Sequence, residues 1–379
     1  MVADELRIIQ PEPTTSNVLR APAEASQDYL PAAYRAVNPA TRAAWNDVQP
    51  HCVFIEVTNH CNLLCETCPR TFTTYEEPKT LSWENFLKIV EQFPDMERAV
   101  LHGIGEPLLN KDLPRMIKHL KERNVYVLFN TNATLLTPEW GRALIESGLD
   151  ELRCSIDGAD PKTYAIIRGA PLLHKIVKNV GEFMKLQADI GASVPRTSIW
   201  MTGMKENVRE LPALLRMAAQ MGVPEVYLQR MVYYGDAEAD AAPGMMDAGH
   251  GLFENFDDAV DRLITECEAL AKELGLSFKA AGATSPKKSL EASRAPDPHP
   301  WKACMRPWTT AYITANGNAL PCCISPFATT DYESLKLGNL FEQPFVEIWN
   351  DTRYQEWRKR LLSDKPHSAC AGCGVNWSL

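Results

Sequence analysis

A chain of 379 residues, 45% hydrophobic and 23% charged, can bury a large core and has room for one large domain plus a smaller one. Its net charge of −9, with no Lys/Arg run, argues against a phosphate-backbone partner, so nucleic acid is not expected. It contains no apolar run of the ~18 residues a membrane helix needs, and "MVADELRIIQPEPTTS" has neither the basic nor the apolar region of a secretory signal; no membrane and a cytoplasmic location are expected.

Residues 1–49 are rich in Pro and Ala and read as an N-terminal arm with one short helix around "QDYLPAAYRAV". Beyond them, β-branched apolar runs at 52–58, 98–103, 125–130, 150–156, 196–202 and 225–230 alternate with helical stretches at 82–93, 111–123, 137–147, 171–188 and 207–221. Such alternation implies parallel strands with right-handed crossovers. The expected fold class is α/β, a partial (β/α)6 TIM-like barrel whose core covers 50–235. Residues 236–300, a loop and a helix, complete that core, and 301–379 form a smaller domain. Within 236–300, 236–252 reads as a solvated loop, with an active-site lid as the alternative. The helix at 253–274 turns Cys267 to its apolar face as a packing thiol. Cys52 and Cys154 read as core thiols too.

Strand parity says where a site lies. In 150–157, Leu152, Cys154 and Ile156 share one face and Arg153, Ser155 and Asp157 the other. By the same rule Phe54, Glu56 and Thr58 form one face of the first strand, and Tyr227 and Gln229 one face of the sixth. An interior lined with Glu, Ser, Asp and Gln is expected to hold something polar, at the carboxyl ends of the strands.

The loop after the first strand, "CNLLCETCP", gathers Cys61, Cys65 and Cys68. Clustered spacing in a signal-less chain of this size favours metal or redox chemistry over disulfides. A structural zinc site wants four ligands, whereas three local thiolates suit an iron–sulfur cluster with one iron left open.

This C-x3-C-x2-C string resembles the signature of the radical S-adenosylmethionine (radical SAM) enzymes. "GIGEP", from Gly103 to Pro107, is similar to the family's GGE motif; "SIDGADPKTYAIIRG" resembles its ribose-contacting segment, and "TNATLL", from Thr131, its T-N-G-x-L-L. The resemblance covers roughly 50–235. It implies a 4Fe-4S cluster on Cys61, Cys65 and Cys68, S-adenosylmethionine as cosubstrate, and a flavodoxin- or ferredoxin-type reductant. Cofactor-binding residues would be Gly103, Gly105, Glu106, Asn132, Ser155, Asp157, Arg168 and Gln229, with Glu106 receiving the methionine amino group and Arg168 its carboxylate. Ile104, where Gly is usual, and Thr67, where a large residue is frequent, are departures expected to alter adenine packing rather than abolish binding.

Farther along, Cys304 and Cys322 flank a hairpin in which "AYIT" and "ALPC" surround the turn signal Asn316-Gly317, and Cys370 and Cys373 form a C-x2-C. Four thiolates in this frame suit one fully ligated metal site, and on spacing alone that metal could be zinc. The region, with "LGNLFEQPFVEIWNDTRYQEWRKRL", resembles the α+β SPASM/twitch extension of radical SAM enzymes, which implies one auxiliary 4Fe-4S cluster acting in electron transfer. Cys323, beside a ligand, is either a packing thiol or a hydrogen-atom donor facing substrate. Glu56 is a second candidate catalytic residue.

Three functions remain on these grounds. Oxidation of a small polar metabolite, with the auxiliary cluster taking the second electron, leads; modification of a peptide is the alternative. A non-catalytic iron–sulfur carrier is a third, disfavoured because a carrier needs no cofactor pocket.

Overall fold

The computed structural model describes residues 37–38, 40–234, 243–280, 284–294, 298–371 and 373. The arm helix, and 236–242 of the expected loop, lie outside them. The described strands are β1 (Cys52–Ile55), β2 (Arg98–Val100), β3 (Tyr126–Thr131), β4 (Glu151–Ser155), β5 (Arg196–Gly203), β6 (Glu225–Arg230), β7 (Ser277–Ala280), β8 (Thr310–Ile313), β9 (Asn318–Leu320) and β10 (Gly338–Asn339). The connecting helices are α1 (Trp83–Val90), α2 (Leu113–Glu122), α3 (Pro138–Glu146), α4 (Pro161–Arg168), α5 (Leu173–Ile190), α6 (Leu211–Met221), α7 (Asp258–Glu273) and α8 (Pro286–Arg294). Local chemistry sets their ends. Ser82, Thr137 and Asp160 accept hydrogen bonds from first-turn N–H groups. Gly169, Gly191 and Gly222 close α4, α5 and α6 in the left-handed conformation.

All ten strands belong to one open sheet in the order β10-β9-β8-β1-β2-β3-β4-β5-β6-β7. From β8 to β7 every neighbouring pair is parallel. The six expected strands are present, and the structure adds one at each flank. β7 pairs with β6 and β8 pairs with β1, so the C-terminal hairpin is a continuation of the barrel wall rather than a separate sheet. "SFKA" is too short to declare itself as a strand, and no local pattern names β1 as the partner of "TAYI".

Parity holds along the sheet. Val53, Ile55, Val127, Phe129, Leu152, Cys154, Ile199, Met201, Val226 and Leu228 are wholly buried beneath the helices. The opposite parity faces the lumen, where Cys52, Val100 and Leu128 form an apolar cluster with Phe54 and Tyr126. The lumen is therefore not polar throughout, as the Glu/Ser/Asp/Gln pattern predicts: its β1–β3 wall is apolar. Asp157 and Thr58, expected to line it, are held at the strand ends by other groups.

The helix α9 (Thr352–Leu362) anchors the arm. Its fully buried Arg358 donates to the carbonyls of Pro307 and Ala44 and to Asn350 Oδ1, each at 2.9 Å. The guanidinium sits 4.3 Å from the Trp349 ring centre and 4.7 Å from that of Tyr354. Residues 44–48 are thereby pinned to the C-terminal region, helped by Asn46 to Trp308 and Trp349 Nε1 to Val48.

Candidate active site

The three-cysteine loop leaves β1 at its carboxyl end and is held almost entirely by backbone. Glu106 N–H donates to His60 O at 2.8 Å, Glu66 N–H to Ile167 O at 2.9 Å, and Cys68 N–H to Cys65 O at 3.2 Å. Arg70 donates to the carbonyls of Cys61 and Leu63, and Thr71 to that of Cys65. Two glycines permit this closeness. A Cβ on Gly105 would overlap the Thr58 carbonyl, and one on Gly169, whose φ is +72°, the Leu64 carbonyl.

Donors surround the sulfurs. Asn132 Nδ2 lies 3.9 Å from Cys61 Sγ and 2.9 Å from Asn62 Oδ1, and Arg168 Nη1 lies 3.9 Å from Cys65 Sγ. Burial raises the Cys61 thiol and pushes that of Cys68 up to about 12, the neighbouring cysteine charges adding to it. Thiols so desolvated are stable as thiolates only when a cation takes the proton's place. The donor set, its converging N–H groups and the glycine cradle fit an iron–sulfur cluster.

Around the loop stand the other expected residues. Both Glu106 oxygens are already engaged: Oε1 accepts from Thr131 Oγ1 at 2.7 Å and Leu108 N at 3.1 Å, and Oε2 from Asn132 N at 2.7 Å. Its carboxylate acts as a clasp between the 103–107 loop and the 131–134 turn, and Oε2, with one hydrogen bond, keeps acceptor capacity. In that turn Ala133 occupies the motif's glycine position with φ +56°, its carbonyl held by Asn179 at 2.9 Å. Asp157 pairs with Arg168 Nε at 2.7 Å and accepts from Thr202 N at 2.7 Å. Burial works against the Arg168 charge, yet the negative groups of Asp157, Cys65 and Tyr164 together outweigh it and raise its pKa. Arg168 thus reaches the cysteine loop as a held cation. Ser155 and Gln229 face the lumen on β4 and β6, half-buried.

The segment expected as a solvated loop is packed where it is described. Met245 N–H donates to Glu66 O at 2.9 Å, and Met246 and Leu252 are wholly buried. Gly244 and Met245 lie against the cysteine loop at Phe72 and Glu66, and 250–252 bond to Gly203, Met204 and Lys205 beyond β5.

Glu56 joins the two halves of the molecule. Its buried carboxylate accepts from Ile104 N at 2.9 Å, Tyr312 Oη at 3.0 Å and Ala315 N at 3.2 Å. Burial pushes it up to about 7, although the Ile104 and Ala315 N–H groups pull the other way. Gly103 lies directly against it, and any Cβ there would strike the carboxylate. Glu76, which motif reading missed, takes four hydrogen bonds from Thr314, Asn316, Asn318 and Tyr332. Neither Glu76 nor Tyr312 carries a local signal, because their partners are more than 230 positions away. His102 does carry one, the parity of its strand: burial pushes it down to about 3, and as a neutral ring its Nδ1 accepts from Asn130 N at 3.2 Å.

Cys304, Cys322, Cys370 and Cys373 line one cavity with Arg306, Pro307, Ile324, Ser325, Trp357, Leu361 and Ala369. Burial pushes the Cys304 thiol up to about 11 and raises those of Cys370 and Cys373. Four cysteines around one mostly apolar cavity fit a fully ligated cluster. Cys323 is outside that lining, and its sulfur takes a hydrogen bond from Arg306 Nη1 at 3.2 Å.

The Radical SAM superfamily model matches residues 55–218, and the SPASM iron–sulfur cluster-binding domain model matches 304–374. The chain belongs to the radical SAM superfamily. Its cofactors are S-adenosylmethionine, the 4Fe-4S cluster that binds it and an auxiliary cluster of the SPASM region, which replaces the zinc alternative. Among curated relatives, the tungsten-containing aldehyde ferredoxin oxidoreductase cofactor-modifying protein of Pyrococcus furiosus is 24% identical over 336 residues, covering 85% of this radical SAM chain and 87% of its own. The PqqA peptide cyclase of Streptomyces rochei is 25% identical over 307 residues, covering 80% and 76%. Among solved structures, Streptococcus suis SuiB bound to S-adenosylmethionine superposes with a TM-score of 0.62 at 18% identity, over 86% of this chain and 71% of that one, and so shares the fold. No helix among the described residues is long and apolar enough to cross a membrane.

Proposed function

We propose that this radical SAM enzyme oxidises a small substrate held in the barrel lumen, drawing electrons from a flavodoxin- or ferredoxin-type protein. Cys61, Cys65 and Cys68 would hold the first cluster; Cys304, Cys322, Cys370 and Cys373 the second. When bound, the first cluster supplies the electron that cleaves S-adenosylmethionine to a hydrogen-abstracting 5′-deoxyadenosyl radical, and the second accepts the electron left on the substrate.

The observation that supports this reading is the pairing of β8 with β1. It makes the auxiliary region one wall of the lumen, with Tyr312 reaching Glu56 and Cys323 within electrostatic reach of Cys52 on the lumen face. The chain's own groups then divide the work. The 103–107 loop and Asn132 orient the cosubstrate, Arg168 sets a cation at the cysteine loop, and Gly244 and Met245, packed on that loop, help exclude water. Glu56, engaged by three donors, positions the two regions relative to each other and is suited to hold a proton near pH 7.

Peptide modification is the second reading, favoured by the likeness to a PqqA peptide cyclase. One experiment tests both. Extract from cells grown in deuterium oxide is divided by size and offered to reduced, anaerobic enzyme with S-adenosylmethionine. Deuterium entering 5′-deoxyadenosine from the small-molecule fraction supports the first reading, and from the peptide fraction the second. Failure of protein holding both clusters to form any 5′-deoxyadenosine ends both.

A further inference from the structure

The floor of the lumen carries more positive charge than its own carboxylates balance. Strand parity turns Arg98, Arg153, Arg196 and Lys279 inward with only Glu151 and Glu225. Glu151 takes Arg153 Nε at 2.8 Å, Arg196 Nη2 at 3.1 Å and the Tyr126 hydroxyl at 3.1 Å. Glu225 takes Lys279 Nζ at 2.9 Å. Arg98 is left over. Its Nε is buried without a hydrogen-bond partner, it makes no ion pair among the described residues, and its guanidinium lies 5.8 Å from the Tyr126 ring centre. The buried Arg306 stands on the same floor: the guanidiniums of Arg98, Arg306 and Arg153 all act on the Cys52 thiol.

A half-buried guanidinium without a direct carboxylate partner is available to an anion, and in a chain of net charge −9 it is not a general surplus of base. A guanidinium fork matches a carboxylate in shape and charge. Beside it, Phe54, Val100 and Leu128 form an apolar wall, and Trp200 stacks on Tyr227 at 4.0 Å. We propose that the substrate is a carboxylic acid with an apolar body, its carboxylate held by Arg98 and its body laid along Phe54, Val100 and Leu128. This inference rests on the lumen being the substrate site of the proposed oxidation.

The test uses reconstituted full-length protein with S-adenosylmethionine and titration calorimetry. The probes are N-acetyltyrosine against its neutral amide, and a capped Gly/Glu/Tyr peptide against its Gln-for-Glu counterpart. The expected result is that an acid binds at least ~10-fold tighter than its neutral partner, and that Arg98→Gln removes about that factor for the acid while leaving the neutral probe unchanged. Arg98→Lys should restore part of it. A preference seen with N-acetyltyrosine assigns the carboxylate to a small molecule; one seen only with the peptide assigns it to a peptide side chain. Equal binding of acid and neutral partner in both pairs, no binding of either acid, or an Arg98→Gln variant of unchanged iron content that binds the acid as well as the parent overturns the proposal. Should Arg98→Gln not fold, the acid/neutral comparison on the parent protein decides. Formation of 5′-deoxyadenosine without any probe reports separately on the catalytic reading, so failure of one is not mistaken for failure of the other.

Discussion

The two cysteine sites are built by opposite means. Cys61, Cys65 and Cys68 share one loop of eight residues, shaped by backbone contacts that Gly105 and Gly169 permit. Cys304, Cys322, Cys370 and Cys373 are drawn from segments spread over 70 residues and converge because buried side chains such as Arg358 and Trp308 bring those segments together. A local site is vulnerable to changes in its own loop; an assembled one is vulnerable to distant packing.

The largest effect tests whether the sites are separable. Replacing Cys61, Cys65 and Cys68 with Ala should abolish 5′-deoxyadenosine formation and remove about four of roughly eight iron atoms per chain. Replacing Cys370 and Cys373 should remove the other half yet leave that cleavage measurable, by iron analysis and chromatography. Arg358→Ala sharpens the contrast from afar. It leaves the carbonyls of Pro307 and Ala44 without their donor and should cost about 3–5 kcal/mol in denaturant unfolding, with auxiliary iron lost first.

Glu56 bridges the two sites, and its titration shows how tightly. The folded carboxyl keeps its proton up to about 7, against an ordinary value of 4.5. Between those values the folded chain binds more protons than the unfolded one, so stability falls as pH rises from about 4.5 to about 7 and is level above it. The fall is on the order of 3 kcal/mol. Glu56→Gln should flatten this slope, as read from unfolding midpoints across the range.

Gly105→Ala drives a methyl into the Thr58 carbonyl, which cannot yield as a side chain would. A loss of about 1–3 kcal/mol is expected, with weaker S-adenosylmethionine binding in calorimetry and unchanged auxiliary iron. The smallest effect is Ala133→Gly. It relieves a left-handed alanine but removes a buried methyl, so the unfolding midpoint should move by no more than about 1 kcal/mol in either direction.

Strand order within the barrel, the lumen-facing parity of Arg153, Ser155, Tyr227 and Gln229 and the fall of the cysteine loop at a strand's carboxyl end were all legible, because each depends on neighbours in the chain. The roles of individual carboxylates were not. Glu106 reads as a ligand group from its motif, but that motif does not show that Thr131, Asn132 and Leu108 fix its orientation. Glu76 has no motif at all and holds four groups of the C-terminal hairpin. Likewise Arg98 looks like any strand-end arginine until the direct pairing of Glu151 with Arg153 and Arg196 leaves it without a direct ion pair among the described residues.

Periodicity and short spacing, which act over a few residues, determined the alternating α/β chain and the gathering of cysteines into two regions. Only the folded molecule decided that the C-terminal hairpin would lie beside β1, that one wall of the lumen would be apolar and that Arg98 on its floor would lack a direct ion pair among the described residues. Those outcomes depend on which distant groups compete for the same hydrogen bonds and charges, and that competition exists only after the chain has closed on itself.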